Sequence, residues 1–340
     1  MRAIVTNRND SVRAGSPASP PDWKVAMQAA IRDPGELLRR LQLPPDLACS
    51  TAAKTFPVFA PLEYIARIVP GDRTDPLLLQ VLPLPAETQS TEGFSADPLA
   101  EQDYTLAPGL LKKYAGRALL VTTGACAIHC RYCFRREFPY QQSGPPAWDE
   151  SLARIAADST IEEVLLSGGD PLTLTDPVLA RLVQRLAEIP HVRRLRVHTR
   201  LPIVIPQRVN AEFLGWLTGS RLTPIVVVHA NHPQEIDDPT AAALKRLRQA
   251  GVMLLNQTVL LRGVNDQAEP LIELSRRLID AGTTPYYLHQ LDRVRGTAHF
   301  ETPPEVGQQL IAAMRAALPG YATPRFVQEL PGEPNKTVLA

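Results

Sequence analysis

Cysteine is scarce in this chain of 340 residues, which contains only four. A secreted domain held together by disulfides would need a denser and more evenly spread set, so that class of protein is excluded. The sequence also lacks a surplus of either charge, since 36 Lys and Arg residues face 35 Asp and Glu residues, giving a net charge of +1. We therefore expect no overall basic field that would attract nucleic acid or an anionic membrane.

Long hydrophobic runs are absent as well. No stretch approaches the run of about 18 uncharged apolar residues that a membrane-spanning helix requires. The N-terminal sequence MRAIVTNRND lacks the apolar segment of a secretory signal. These absences predict a cytoplasmic protein without a membrane partner.

The first third of the chain is rich in proline and in short helical patterns. These patterns lie at residues 23–32, 35–43 and 59–68. They predict an N-terminal helical region that extends, with its linker, over residues 1–105. The segment 76–85, PLLLQVLPLP, has the apolar content of a strand, but its prolines exclude it from the centre of a sheet. The polar segment 86–104 that follows is typical of a linker.

Beyond residue 105 the pattern changes to short apolar runs that alternate with helical segments. Strands are predicted at residues 117–123, 162–168, 194–199, 224–230, 253–260 and 284–290. Such alternation indicates βαβ units and a parallel sheet. We therefore predict an α/β fold in which residues 106–325 form a partial (β/α)6 barrel and residues 326–340 form a C-terminal tail that closes the site. Functional side chains are expected at the carboxyl ends of the strands.

A group of thiols follows the first predicted strand. Cys126, Cys130 and Cys133 have the spacing C-x3-C-x2-C, which offers three soft ligands where a closed tetrahedral zinc site would need four. A 4Fe-4S cluster held by three thiolates would keep one iron open. Judged by spacing alone, a zinc site completed by His129 and a chance grouping of thiols are the alternatives. The isolated Cys49 is predicted to be a small buried apolar side chain.

With Tyr132 before the third cysteine, the loop resembles the cluster motif of the radical S-adenosylmethionine superfamily. The resemblance implies that the open iron binds the amino and carboxylate groups of S-adenosylmethionine. The second predicted strand ends in Gly168-Gly169-Asp170, which resembles the glycine-rich element that contacts the ammonium of this cofactor. Glycine permits close backbone approach there, and the aspartate places a carboxylate at the tip of the strand.

The resemblance narrows to the lysine 2,3-aminomutase family over about residues 105–340. It rests on the ordered segments CAIHCRYCFRREF, LLSGGDPL, HTRLPIVIPQRV, ANHPQEI, NQTVLLRGVND, TPYYLHQLDRVRGTAHF and PGEPNK. Members of this family bind pyridoxal 5'-phosphate covalently through a lysine near the C-terminus, and the matching residue is Lys336. Residues 332–335 depart from the run of glycines usual in the family. They resemble the short aminomutases that supply β-lysine for modification of elongation factor P.

The same resemblance implies roles for individual side chains. Arg135 would bind the substrate carboxylate with its planar fork, while Asp292 and Glu329 would bind the distal ammonium of lysine. The residues expected to bind the cluster-side cofactor, S-adenosylmethionine, are Tyr132, Gly168, Gly169, Asp170, His229 and Gln257. Those expected to bind pyridoxal phosphate are Lys336, Tyr114 and, in the place of a phosphate-binding arginine, Lys113.

The implied reaction is a radical rearrangement of free lysine. A 5'-deoxyadenosyl radical would remove a hydrogen from C3 of lysine, and the amino nitrogen would move from C2 to C3 to give β-lysine. The implied partners are free lysine, an external electron donor such as flavodoxin, and a ligase that attaches the product to elongation factor P.

Three alternatives stay open at this point. A catabolic lysine 2,3-aminomutase would run the same chemistry, although the short segment after Lys336 is expected to disfavour it. A glutamate-specific aminomutase is disfavoured because Asp292 and Glu329 would repel a side-chain carboxylate. A protein of another class, a non-enzymatic iron–sulfur or zinc-binding module, would use the cysteines alone.

Overall fold

A computed structural model describes residues 22–340 of the chain. Residues 1–21 of the predicted N-terminal region lie outside the described residues. Within the described range the strands are β1 (Thr105–Ala107), β2 (Leu110–Leu111), β3 (Arg117–Thr123), β4 (Glu163–Gly168), β5 (Arg194–Thr199), β6 (Thr223–His229), β7 (Met253–Val259), β8 (Thr284–His289), β9 (Arg325–Gln328) and β10 (Thr337–Val338).

The α-helices in the same range fall into two groups. The short ones are α1 (Trp23–Gln28), α2 (Pro34–Arg40), α3 (Ser50–Thr55), α4 (Leu62–Ile65), α5 (Pro76–Leu79) and α8 (Leu201–Val204). The longer ones are α6 (Trp148–Ala157), α7 (Asp176–Ala187), α9 (Ala211–Thr218), α10 (Asp238–Gln249), α11 (Ala268–Asp280) and α12 (Pro304–Ala317). None of the helices in residues 22–340 combines the length and apolar content that crossing a membrane would require.

All the strands belong to one sheet, in which their spatial order follows the sequence from β1 to β10. Strands β3 to β9 run parallel to one another. Strands β1 and β2 at one edge and β10 at the other pair antiparallel. The predicted α/β fold with a parallel barrel wall is confirmed, and β9 adds one parallel strand that the sequence pattern did not reveal.

The alternation of side chains in the strands decides which face meets the helices. In β5, Leu195 and Val197 are buried in the main hydrophobic core. Arg196 and His198 point to the opposite face and line a cavity. Successive side chains of a strand point to opposite faces of the sheet. The apolar residues of β5 therefore face the helices, while the polar residues between them line the interior.

The longer helices cover the outer face of the sheet with apolar stripes. In α10, Ala243, Leu244 and Leu247 are fully buried, at the spacing of three and four residues expected for one helix face. The helix begins after Asp237, whose side chain accepts a hydrogen bond from the Thr240 amide at 3.0 Å. Because a helical connection joins each strand to a parallel neighbour, the chain always returns to the same end of the sheet. The carboxyl ends of the strands therefore lie side by side.

The segment 76–85 forms no strand, in agreement with the exclusion from the sheet centre that its prolines predicted. It begins with helix α5, whose N-cap Asp75 accepts hydrogen bonds from the amides of Leu77 and Leu78 at 2.8 and 3.1 Å. Proline is tolerated at the first position of a helix, because the N–H that it lacks would have no hydrogen-bond partner within the helix there. This local capping signal, Asp75-Pro76, outweighs the strand-like composition.

The segment 86–104, predicted to be a linker, packs against the cysteine loop. Glu87 is buried and accepts hydrogen bonds from Arg131 Nε at 2.9 Å and Arg136 Nη2 at 2.8 Å. A second acid of this segment, Glu101, pairs with Arg135. The segment therefore braces the loop, while the division of the chain into regions 1–105, 106–325 and 326–340 stays a prediction.

The C-terminal residues extend the sheet along its last edge. Strand β9 pairs with β8, and β10 folds back on β9 with Thr337 opposite Gln328. This antiparallel register places Lys336, just before β10, across from Glu329, just after β9. The hairpin fixes both side chains relative to the barrel wall.

Candidate active site

A cavity of about 540 Å³ lies inside the sheet and is lined by inward-facing side chains of β3 to β9. Its volume falls within the range of roughly 300–1,000 Å³ typical of small-molecule sites. Every residue to which the sequence assigned a role lines this cavity: Lys113, Tyr114, Cys126, Cys130, Tyr132, Cys133, Arg135, Gly168, Gly169, Asp170, His229, Gln257, Asp292, Glu329 and Lys336. The structure thus brings the set together, and the individual roles stay predictions.

The three clustered thiols lie on the loop after β3 and are partly exposed to the cavity. Burial raises the pKa of Cys126, and burial together with the neighbouring Cys130 raises the pKa of Cys133 to about 11. In the absence of a cation, these shifts favour the protonated thiols of Cys126 and Cys133 at neutral pH. A bound metal removes these protons, because a coordinating thiol is deprotonated outright.

The surroundings of His129 bear on the zinc alternative. Among residues 22–340, no group of three or more His, Cys, Asp or Glu side chains is arranged as a preformed site for one metal ion. His129, the fourth ligand of the zinc alternative, has its Nδ1 2.8 Å from the carbonyl oxygen of Pro57 and stacks on Phe56. A multi-iron cluster, which takes one thiolate per iron, fits the three separate sulfurs.

Cys49 is separate from this loop. It forms the N-cap of α3 and is partly exposed, so the prediction of a buried apolar side chain is wrong.

The glycine-rich element after β4 locks the start of the cysteine loop. The amide of Gly169 donates to Thr123 O, and that of Asp170 to Ala125 O, both at 2.7 Å. A Cβ on Gly169 would lie 2.2 Å from Ala125 O, and Gly168 has a φ of +120°. Only glycine permits this approach, so the paired glycines set the position of the cluster loop.

The Asp170 side chain joins the tips of β4 and β5. Its carboxylate accepts hydrogen bonds from Thr199 Oγ1 at 2.7 Å, the Arg200 amide at 2.7 Å and the Leu172 amide at 3.0 Å. Burial raises the pKa of Asp170 to about 6, against the opposing effect of these hydrogen bonds. The structure gives this aspartate a bracing role, and its predicted contact with a cofactor ammonium stays a prediction.

Arg135 is almost fully buried, at 6% exposure, and its guanidinium is held by two partners. Nε and Nη2 donate to the two carboxylate oxygens of Glu101, and Nη1 donates to Ser167 Oγ at 3.0 Å. Sequence reasoning missed Glu101, because an acid in a polar irregular segment carries no periodic signal. The pair nonetheless determines where the predicted carboxylate-binding residue points.

Glu329 links the two lysines of the site. Its Oε1 accepts a hydrogen bond from Lys113 Nζ at 3.1 Å, and its Oε2 accepts one from Lys336 Nζ. Burial raises the pKa of Glu329, but Lys336 and Lys113 outweigh this effect and lower it to about 2. Glu329 is therefore ionised at neutral pH and forms an ion pair with each lysine.

Asp292 is the second acid of this end of the cavity. Its carboxylate receives no hydrogen bond from the described residues, in contrast to Glu329. Burial and the negative charge of Glu329 raise the pKa of Asp292 to about 7. A cationic ligand would stabilise the ionised form of this unpaired carboxyl, because the protein itself places no hydrogen-bonded cation beside it.

Three histidines present unpaired nitrogens inside the barrel. The Nε2 atoms of His198, His229 and His289 are buried and have no hydrogen-bond partner among the described residues. Burial lowers the pKa of His229 to about 4, so its ring is neutral at pH 7. Such orphaned polar atoms indicate a polar ligand. Sequence analysis assigned a role only to His229. All three histidines nevertheless lie at or near the carboxyl end of a predicted strand, and this position could have identified His198 and His289 as well.

Two arginines on the first and last strands of the parallel part of the sheet were also missed. Arg117 of β3 and Arg325 of β9 line the cavity, and within residues 22–340 neither guanidinium forms an ion pair. Arg117 packs over the ring of Tyr114 at 4.6 Å. Because Lys113 is already paired with Glu329, these arginines are the cations most available for an anion.

A family model described as the radical SAM superfamily matches residues 120–275 of this chain. This range contains the cysteine loop, the glycine-rich element and strands β4 to β7. The match coincides with the half of the cavity that holds the three thiols.

Several relatives share nearly the whole chain. A protein named L-lysine 2,3-aminomutase from Haemophilus influenzae is 46% identical over 323 residues, covering 94% of this chain and 96% of that protein. One of the same name from Escherichia coli is 44% identical, covering 94% of each chain. A third, from Clostridium subterminale, is 34% identical and covers 98% of this chain and 81% of that protein.

Proposed function

The chain belongs to the lysine 2,3-aminomutase family of radical S-adenosylmethionine enzymes, and we propose that it converts free L-lysine into β-lysine for elongation factor P. The family comprises isomerases that use a 4Fe-4S cluster, S-adenosylmethionine and pyridoxal 5'-phosphate. One observation carries the proposal. The three clustered thiols, the lysine expected to bind pyridoxal and two acids suited to an ammonium line the same cavity.

The residues of the cavity fit these three groups. Cys126, Cys130 and Cys133 would hold the cluster, and the orphaned Nε2 of His229 would bind S-adenosylmethionine. Lys336 would bind the pyridoxal aldehyde, with Arg117 and other cations facing the phosphate. When bound, the groups would supply the radical that removes hydrogen from C3 and an unsaturated group that would carry the migrating nitrogen and stabilise the unpaired electron.

Glu329 would exchange one ammonium for another during the reaction. It is ionised and paired with Lys336 in the structure. If Lys336 bound pyridoxal, Oε2 of Glu329 would lose its present partner, while Oε1 would keep its hydrogen bond from Lys113. The ε-ammonium of lysine would take that place, with Asp292 as its second carboxylate.

The other end of the substrate would meet Arg135. Its guanidinium is already oriented by Glu101, so binding a substrate carboxylate would require little rearrangement. A glutamate substrate would place its side-chain carboxylate between Asp292 and Glu329, and the mutual repulsion would reject it. Free lysine satisfies both ends of the cavity, whereas a lysine within a protein has no free α-carboxylate.

The relatives from Haemophilus influenzae and Escherichia coli support the finer proposal of elongation factor P as the destination of the product. Their 46% and 44% identity exceeds the 34% of the Clostridium subterminale enzyme. Residues 332–335 also resemble the short aminomutases. The proposal includes a cytoplasmic location, an external electron donor such as flavodoxin, and a ligase that receives β-lysine.

The reaction is tested by anaerobic reconstitution with iron and sulfide, followed by incubation with lysine, S-adenosylmethionine, pyridoxal phosphate and dithionite. Amino-acid analysis should detect β-lysine, and its formation should require every component. The Cys130→Ala variant is the negative control. A reconstituted protein that shows both the cluster and the pyridoxal absorption bands and produces no β-lysine would refute the proposed reaction.

The pathway is tested in a deletion strain of the source organism by mass spectrometry of intact elongation factor P. We expect the modification mass to disappear and to return when β-lysine is supplied. If the modification persists while growth on lysine as a carbon or nitrogen source fails, the enzyme is the catabolic aminomutase instead.

A further inference from the structure

Arg200 connects the tip of β5 to the cysteine loop. Its Nη1 donates to Cys130 Sγ at 2.7 Å and to Tyr132 Oη at 2.8 Å. The side chain is 6% exposed and lines the same cavity as the three thiols. Among the described residues, Arg200 is the arginine whose guanidinium donates a hydrogen bond to a cysteine of the loop.

We propose that Arg200 is a positioning residue that raises the reduction potential of the iron–sulfur cluster through its hydrogen bond to Cys130. The inference rests on the proposed function, because it takes Cys130 as a cluster ligand. It assigns Arg200 a role in setting the reduction potential, which determines how readily the cluster accepts one electron.

The other half of the guanidinium is fixed in place. Nη2 donates to Gln80 Oε1 and to Glu235 Oε2, both at 2.8 Å. The backbone amide of Arg200 donates to Asp170 Oδ2 at 2.7 Å. These contacts come from three different parts of the chain, so they hold the N–H that faces Cys130 in its orientation. Preorganisation of this kind lets a donor act on the cluster without rearrangement.

The sign of the effect follows from charge. Reduction by an external low-potential donor adds one electron, and therefore one negative charge, to the cluster. A buried cation that donates an N–H···S hydrogen bond stabilises the more negative state, which raises the reduction potential. Glu235, fully buried on the far side of the guanidinium, carries the opposite charge and partly offsets the effect.

This arrangement makes two predictions of opposite sign. Arg200→Gln removes the cation and should shift the midpoint potential of the cluster to more negative values. Glu235→Gln removes the offsetting anion and should shift it to more positive values. Arg200→Lys keeps the charge but loses the fork geometry, so its shift should be smaller than that of Arg200→Gln. A role limited to packing would not produce shifts of opposite sign.

A matched control is available elsewhere in the fold. Arg208 is also fully buried and pairs with an acid, Asp176, at 2.7 Å, but it does not line the cavity. Arg208→Gln should lower the thermal stability of the protein while leaving the cluster potential at the wild-type value.

The experiment is a redox titration of the anaerobically reconstituted full-length protein, monitored by the electron paramagnetic resonance signal of the reduced cluster. Iron content is measured for each variant. Wild-type protein that lacks a cluster signal or forms no β-lysine would count against the proposed function. The inference on Arg200 is judged separately, from the shifts between proteins that carry the cluster.

A wild-type potential in fully iron-loaded Arg200→Gln would overturn the inference, as would an equal shift in Arg208→Gln. If Arg200→Gln does not fold or takes up no iron, Arg200→Lys and Glu235→Gln decide the matter. Unchanged potentials in both of these variants would also overturn it.

Discussion

Arg135 and Glu101 form a bidentate ion pair at the wall of the cavity. Nε lies 2.8 Å from Oε2 and Nη2 lies 2.5 Å from Oε1, with both side chains largely buried. Parallel hydrogen bonds between a guanidinium and a carboxylate fix the relative orientation of the two planes. The residue expected to bind the substrate carboxylate is therefore oriented by a second residue, 34 positions earlier in the chain, before any substrate enters.

We predict that Glu101→Ala impairs lysine binding without affecting the cluster. Without its partner, the Arg135 guanidinium can rotate away from the cavity, and a misplacement of about 1 Å can cost on the order of a hundredfold in kcat/KM. Most of the loss should appear as a higher KM for lysine. Steady-state kinetics and the iron content of the reconstituted variant provide the measurement.

Glu137→Ala is the matched control for this prediction. Glu137 also pairs with an arginine, Arg295, but in an exposed position at the surface. It should leave the KM for lysine unchanged. Equal kinetics in Glu101→Ala and the wild type would show that Arg135 is positioned by other contacts.

The second prediction concerns the cysteines. Changing any one of Cys126, Cys130 or Cys133 to Ala should abolish the cluster, because a cubane with one open iron needs the other three thiolates. Cys49→Ala should keep full iron content, since Cys49 lies outside the cavity. Iron analysis and absorbance after anaerobic reconstitution test this, and a Cys130→Ala protein with wild-type iron content would contradict it.

The third prediction concerns the covalent link to pyridoxal. Lys336→Ala should eliminate the adduct that borohydride traps, while the cluster stays intact, because Lys336 and the cysteine loop belong to different elements of the fold. Lys112→Ala is the control, since that lysine pairs with Asp158 at the surface. A peptide map of the wild type should locate the adduct at Lys336. Labelling at Lys113 instead would reassign the pyridoxal site.

The fourth prediction is a pH dependence of lysine binding. Burial and Glu329 raise the pKa of Asp292 to about 7, so this carboxyl is neutral below pH 7 and cannot pair with an ammonium. The ε-ammonium of lysine, with a pKa near about 10.4, stays charged throughout this range. We therefore expect the affinity for lysine to fall about tenfold per unit as the pH drops below 7. Binding measured by calorimetry should show this slope, and Asp292→Asn should bind weakly and without it.

The same pKa determines how this substitution affects stability. An aspartate in the unfolded chain has a pKa of about 3.9. The folded protein therefore holds the Asp292 proton more tightly and loses stability as the pH rises from about 4 to about 7. Ligand-free Asp292→Asn avoids this loss and should melt at a higher temperature than the wild type at pH 8, with the difference vanishing near pH 4. A lower melting temperature at pH 8 would mean that Asp292 is paired in the folded protein.

The barrel strands could be predicted from the sequence because their signal is local. The predicted boundaries of β3 and β5 match the structure, and those of β4, β6, β7 and β8 agree within one residue. Apolar runs of the right length between helical patterns are sufficient to identify a parallel strand. Strands β9 and β10 are short and carry no such pattern; β9 pairs with the edge of β8, and β10 pairs with β9.

The one error concerns Cys49. It was judged by the usual burial of cysteine, whereas its side chain at the N-cap of α3 is partly exposed. For segment 76–85, the prolines excluded a central strand, and the structure has none there, because Asp75 and Pro76 start a helix at that point.

The prediction of which residues form the site came from the sequence alone, because the C-x3-C-x2-C spacing lies within a single loop and the ordered motifs identify the residues that match the family. What those residues face was decided only by the tertiary structure. Glu329 meets Lys113 across 216 positions of chain, and Arg200 meets Cys130 across 70. Contacts of this kind exist only after the parallel strands have brought their tips together, since the distance between two residues along the chain says nothing about their distance in a closed sheet. The spacing of residues along the chain therefore identified the predicted ligands. The packing of the strands determined which charged side chains they face and how they are oriented.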